Sequence, residues 1–134
     1  MDQPIPIAIR PGSDWPAAIQ TELAAHDTRP LVGTKLLLAN DRVRVWEIRL
    51  APGERIGFHR HVLDYFWTAV TAGTALSHQG DGTTVQASYT AGQTQYYTYG
   101  PGEYKIHDLE NIGGTDLIFT TVEFLQSANP ALPI

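Results

Sequence analysis

The chain has 134 residues, no cysteine, and nine Lys plus Arg against fourteen Asp plus Glu, for a formal charge of −5. The acidic balance argues against a broad phosphate-binding surface, and so against a nucleic-acid partner. Without cysteine there is no disulfide framework, thiolate metal site or cysteine nucleophile, so any metal must be held through nitrogen and oxygen.

With 43% hydrophobic residues, this length fits one domain that buries about two thirds of its unfolded surface in a single core. The N-terminal stretch MDQPIPIAIRPGSDW has no apolar run of signal-peptide length, and nowhere do eighteen apolar residues stand together. That pattern reads as a soluble, cytoplasmic protein with no membrane partner.

In chain order, residues 1–31 read as an arm and a helix. Ser13 or Asp14 is placed to cap the helix, Pro16 sits in its first turn, and Trp15, Ile19 and Leu23 recur four apart on one face. His26 follows as a partner for the C-terminal end of the helix dipole. From residue 32 to 126 the texture changes to short β-branched, aromatic and aliphatic runs, separated by turn sequences such as LAPGER, TAGTA, HQGDGT and YGPGE. Strands are expected at 34–39, 43–50, 64–71, 75–79, 84–89, 95–99, 104–109 and 117–125. Such spacing predicts an all-β antiparallel sandwich or barrel. Residues 127–134, SANPALPI, read as an extended tail. The QGDGT stretch is a hairpin and not a phosphate loop, because it lacks the following helix and lysine. His78, in that hairpin, is expected to face solvent.

The stretch GERIGFHRHVLDYF carries the chemistry. Side chains on a strand alternate between faces, so His59 and His61 point the same way, about 7 Å apart along the backbone, and can converge on one small object. Downstream, His107 is followed by Asn111 with three residues between. This arrangement resembles the cupin superfamily, whose first motif reads GxxxxxHxH followed by three or four residues and a glutamate, and whose second ends in HxxxN. The wording HRHVLDYF is also similar to small single-domain cupins of the HRHxxDY type found with β-alanine degradation genes.

The resemblance implies a jelly-roll barrel with one divalent metal bound by His59, His61 and His107. No glutamate stands at the usual fourth-ligand position, where this chain has Tyr65 or Phe66. Asp64 is therefore an added candidate ligand, alternatively a group that orients a histidine or pairs with Arg60. Neutral imidazoles suit Fe, Zn, Mn, Ni and Cu, and three protein ligands leave positions open. Iron(II) is favoured because a three-histidine set favours oxygen chemistry.

Tyr65, Trp67, Tyr96, Tyr97 and Tyr104 are candidate pocket walls. Lys105 shares strand parity with His107. It reads either as a snorkelling surface lysine or as a cation aimed into the cavity toward a substrate carboxylate.

The functional expectation is a dioxygenase-like mononuclear metalloenzyme acting on a small carboxylate or dicarbonyl compound. The alternatives are a metal-dependent isomerase or lyase and a non-catalytic cupin that binds a small molecule. A homodimer paired through sheet edges is expected as well.

Overall fold

A computed structural model describes residues 6–11, 14–25 and 29–134. Its elements in order are β1 (Pro6–Pro11), α1 (Ala17–Ala24), β2 (Lys35–Ala39), β3 (Val43–Leu50), β4 (Arg55–His61), β5 (Tyr65–Ala69), β6 (Gly73–His78), β7 (Thr83–Tyr89), β8 (Thr94–Tyr97), β9 (Lys105–Asn111) and β10 (Leu117–Phe124). They form two five-stranded antiparallel sheets. Sheet A has the order β1-β7-β6-β9-β4 and sheet B the order β2-β3-β10-β5-β8. The expected all-β jelly-roll architecture with one short helix is what the chain adopts. Two strands lie outside the expected ranges: β1, and β4, of which only the alternation at His59 and His61 was read.

Alternation along the strands builds the core. Ile48, Leu50, Leu117 and Phe119 point inward from sheet B and meet Ile56, Ala75 and Leu109 from sheet A. At this apolar end the two histidine motifs are tied together. The amide of Gly53, a turn glycine at φ 84°, donates to the Asn111 carbonyl, and the Asn111 amide donates to Glu54 O, each at 2.9 Å. Asn111 Nδ2 donates to Leu50 O at 2.9 Å and Thr115 O at 2.8 Å. The asparagine of the second motif therefore clamps the turn that opens the first, and β4 and β9 leave that clamp side by side.

The helix departs from expectation in how it docks. Pro16 takes the N-cap place with no side-chain capping bond, Asp14 does not cap it, and α1 has no buried residue. Ser13 and His26 lie outside the described residues. Trp15 is buried, but it precedes the helix and packs beside Phe58 and His78. Ile19 and Leu23 are only half-buried. Charge holds the helix in place of an apolar stripe. Glu22 accepts from Arg55 NH1 at 3.0 Å, from Arg55 NH2 at 2.8 Å and from the Phe58 amide at 2.9 Å. The free edge of β4 is covered by Arg29, whose amide donates to Phe58 O and whose carbonyl accepts from the Arg60 amide, both at 2.9 Å. The tail folds back on its own chain, with Asn129 Nδ2 donating to Val62 O and Gly100 O, each at 3.1 Å.

Hydrogen bonding from Arg55 holds the Glu22 carboxyl below its ordinary value of 4.5. A carboxylate lowered on folding adds stability above its unfolded pKa and loses it as pH falls through the folded one. Glu22→Gln should therefore cost about 1–2 kcal/mol at pH 7 in urea unfolding. The gap from the wild type should close as pH is lowered below the glutamate range.

Candidate metal centre

β4 does not keep a simple period of two. In its pairing with β9, Ile56 lies opposite Leu109 and His59 opposite His107, so three steps on β4 match two on β9, and the register shifts between Ile56 and His59. This extra residue is a β-bulge, which changes the side a strand presents from there on. It lets Ile56 enter the apolar core while His59 and His61 also point inward. Arg55, Phe58 and Arg60 then fall on the outer face.

The bulge brings three imidazoles together. Candidate ligand nitrogens of His59, His61 and His107 all lie within 4.8 Å of one another, and the ring centroids are 4.6–5.1 Å apart. His61 Nε2 and His107 Nε2 are 3.1 Å apart. Second partners fix two of the rings. His59 Nδ1 is 2.9 Å from Gly57 O, so it carries the proton and donates, which leaves Nε2 as a lone pair facing the group. His107 Nδ1 lies 3.4 Å from Ser77 Oγ. That hydroxyl in turn donates to Asp108 O at 2.7 Å and accepts from Gln79 Nε2 at 2.8 Å. The His61 ring stacks on Tyr65 with centroids 4.1 Å apart at 12°, and its buried Nδ1 has no hydrogen-bond partner among the described residues.

Burial sets the protonation. Desolvation lowers His59 to about 4. Desolvation likewise takes His61 and His107 well below the ordinary 6.5, helped by the charge of Lys105. All three imidazoles are thus neutral near pH 7, the form in which nitrogen can donate to a cation.

The group opens on a cavity of about 50 Å³ walled by Tyr65, Trp67, Tyr89, Phe119, Ile48 and Thr121. No carboxylate lines it among the described residues. Lys105, opposite His61 on β9, is half-buried and places Nζ 4.6 Å from the Tyr97 ring centre. Tyr97 stacks on Tyr65 with centroids 5.0 Å apart. Lys105 thus sits over Tyr97, beside the ring stacked on Tyr65, but it does not line the cavity itself and borders a separate groove with Arg60, Gln79 and Asp81.

Other expected site residues lie elsewhere. Asp64 Oδ1 accepts from the Tyr99 amide at 3.0 Å, and the residue lines an outer groove with Asp41, Arg42 and Phe124. The strand turns its carboxylate away from the histidines, and it does not bond Arg60. Tyr96 is one residue out of phase with the inward Tyr97 and is 38% exposed. Tyr104, which precedes β9, is 57% exposed beneath the Arg60 guanidinium at 4.7 Å.

His78 corrects the expectation of a solvent-facing side chain. It is 3% exposed, and Asp108 Oδ2 lies 2.7 Å from its Nδ1 while Oδ1 accepts from its amide at 2.6 Å. Asp108 also accepts from Arg55 Nε at 2.6 Å. These residues form a buried polar layer directly behind His107. The alternation of His107 inward and Asp108 outward was the only sequence signal for it.

Three solved structures share this arrangement of strands. A cupin domain from Bordetella pertussis is 30% identical, with a TM-score of 0.59 over 67% of this chain and 88% of that one. The chain belongs to the cupin superfamily. An uncharacterized conserved protein with a double-stranded β-helix domain from Klebsiella pneumoniae is 27% identical, with a TM-score of 0.55 over 78% of this chain and 89% of that one. A cupin family protein from Methanocaldococcus jannaschii shares the fold at 20% identity, with a TM-score of 0.54 over 67% of this chain and 76% of that one. No protein-family model and no curated protein matches the chain. No helix among the described residues is long and apolar enough to cross a membrane.

Removing a fully buried, three-bonded carboxylate strands its partners, whereas removing a half-exposed one does not. Asp108→Ala should cost about 3–5 kcal/mol in urea unfolding, against about 1 kcal/mol for Asp64→Ala.

Proposed function

We propose that His59, His61 and His107 hold one divalent cation, with iron(II) favoured and zinc, manganese, nickel or copper as alternatives, and that the protein is a dioxygenase-like metalloenzyme for small organic acids. The observation that carries this reading is the convergence of three neutral imidazoles, two buried and one half-buried, on one point. The Nε2 atoms of His61 and His107, 3.1 Å apart, would both face a bound cation, and neutral imidazole nitrogen is a donor suited to one. Without a cation, one of these two nitrogens must carry a proton toward the other, and His61 Nδ1 stays buried with no hydrogen-bond partner among the described residues.

A bound ion supplies Lewis acidity and, if redox-active, access to dioxygen chemistry. The chain's own residues supply the rest. Gly57 O and Ser77 Oγ hold two ring tautomers, and Tyr65 holds the plane of the third ring by stacking. The aromatic walls exclude bulk water. At about 10–15 Å³ per water, the cavity of about 50 Å³ admits roughly four small groups, so a ligand of a few heavy atoms fits beside the histidines.

Charge selects between carboxylates and neutral dicarbonyls. A cation held by the three histidines would have neutral ligands only, no carboxylate lines the cavity, and Lys105 makes no ion pair among the described residues. The positive charge calls for an anionic ligand. Lys105 is the group placed to meet a carboxylate entering past Tyr97 and Tyr65.

Two measurements test this. Iron(II)-loaded protein should consume dioxygen with one or more members of a panel of two- to five-carbon carboxylates. Loss of dioxygen uptake across the panel, with isomer or cleavage products formed instead, favours the isomerase or lyase reading. Binding with no turnover favours a ligand-binding cupin. In a titration of the cobalt(II)-substituted protein followed by its visible bands, Lys105→Met should weaken carboxylate binding about tenfold, or about 1.4 kcal/mol. Its affinity for neutral diketones should stay unchanged.

A further inference from the structure

A second recess lies on the outer side of the histidine-bearing sheet, beside helix α1. It measures about 540 Å³, against about 50 Å³ for the cavity beside the histidines, and so falls within the size range of sites for small metabolites. Leu23 of α1 and Ile106 of β9 make its apolar side, and Arg60 of β4 and Lys105 of β9 its charged side. Register sets Arg60 opposite Ile106 and one step from Lys105. The recess takes no part in the histidine site, because Arg60 and Ile106 alternate with His59, His61 and His107 and point the other way.

The cations here lack the partners that charged groups usually have. Arg60 Nε is buried with no hydrogen-bond partner among the described residues, and neither Arg60 nor Lys105 joins an ion pair among them. Each rests on an aromatic ring instead. The Arg60 guanidinium lies 4.7 Å from the centre of the exposed Tyr104 ring, and Lys105 Nζ 4.6 Å from that of Tyr97. Arg29 adds a third cation, in an adjoining groove that it shares with Arg60. The one carboxylate on the recess, Asp81, is engaged by its own turn, where Oδ1 accepts from the Thr83 amide at 3.0 Å and from Thr83 Oγ1 at 2.7 Å. Like charges set side by side repel, and a buried donor left unbonded costs stability. In a chain of formal charge −5, positive charge gathered over one recess calls for an anion.

We infer that this outer recess binds an oxyanion carried on an apolar body, a phosphate ester or a carboxylic acid. Guanidinium offers parallel N–H groups to the oxygens of either anion, and its bonds to them are charge-assisted. Tyr104 steadies the guanidinium by cation–π contact without consuming those donors. The Lys105 ammonium supplies a second charge, while Leu23 and Ile106 give the apolar part of the ligand a surface to cover. Binding here needs no metal at the histidines, and a ligand of this size does not fit their cavity.

Isothermal titration of the full chain after chelator treatment tests the inference, since the histidines then offer an anion no cation. Phenyl phosphate and benzoate are the probes, with benzyl alcohol as the uncharged control. At least one of the anions should bind once per chain, the tighter of the two identifying the source of the oxyanion, and benzyl alcohol should bind at least about tenfold more weakly. Arg60→Gln should weaken anion binding at least about tenfold, and Tyr104→Ala, at an exposed residue where folding is little affected, about threefold. Both should keep a wild-type circular dichroism spectrum. Arg49→Gln, at an exposed arginine outside the recess, should bind as the wild type does. Absence of anion binding to the wild type overturns the inference, and so does an affinity unmoved in folded Arg60→Gln. Should Arg60→Gln fail to fold, unchanged binding by Tyr104→Ala has the same force. Neither result alters the metal content expected at the histidines, so the two sites fail separately.

Discussion

The pairing of β4 with β9 across a one-residue bulge is the constraint on which the rest depends. Had β4 run without the bulge, Ile56 and His59 would fall on opposite faces, since they are three residues apart. One of them would then leave the interior. The Gly53–Asn111 clamp starts the two strands in register, and the bulge resets parity on one of them only. His59 thereby ends opposite His107, with His61 one step beyond. The separation of the two motifs along the chain is resolved by a single antiparallel ladder.

Behind that ladder the protein spends its buried charge on structure. Asp108, fully buried, joins Arg55 and His78, and Arg55 in turn reaches Glu22 on the helix. A buried carboxylate is costly to desolvate, and its hydrogen bonds and ion pairs offset that cost only if every partner stays in place. The network is therefore a fixed backing for β9, while the face turned inward keeps only neutral imidazoles. This division leaves the cavity without a protein carboxylate.

Much of this was legible in the residues, for local reasons. Turn sequences separate the strands, so eight of them were found within a few residues of their ends. The shared direction of His59 and His61 follows from alternation alone. The extent of β4 back to Arg55 was not anticipated, because the bulge between Ile56 and His59 breaks the period-two pattern that marks a strand. The Trp15–Ile19–Leu23 spacing suggested an apolar helix face, yet Trp15 packs before the helix begins and Glu22 docks it by charge. His78 looked like a hairpin residue, because nothing local announces a carboxylate thirty residues away in sequence. The absence of the usual glutamate pointed to Asp64. A strand offers alternate faces, however, and the position next to Tyr65 faces outward when Tyr65 stacks on His61.

Metal content of purified chain, measured by elemental analysis, tests the central claim most directly. After reconstitution and desalting, the account predicts one equivalent of divalent metal per chain for the wild type and for Asp64→Ala. It predicts less than about a tenth of an equivalent for each of His59→Ala, His61→Ala and His107→Ala, all still strand-rich by circular dichroism. A full equivalent retained by folded His107→Ala, or its loss from folded Asp64→Ala, would contradict it.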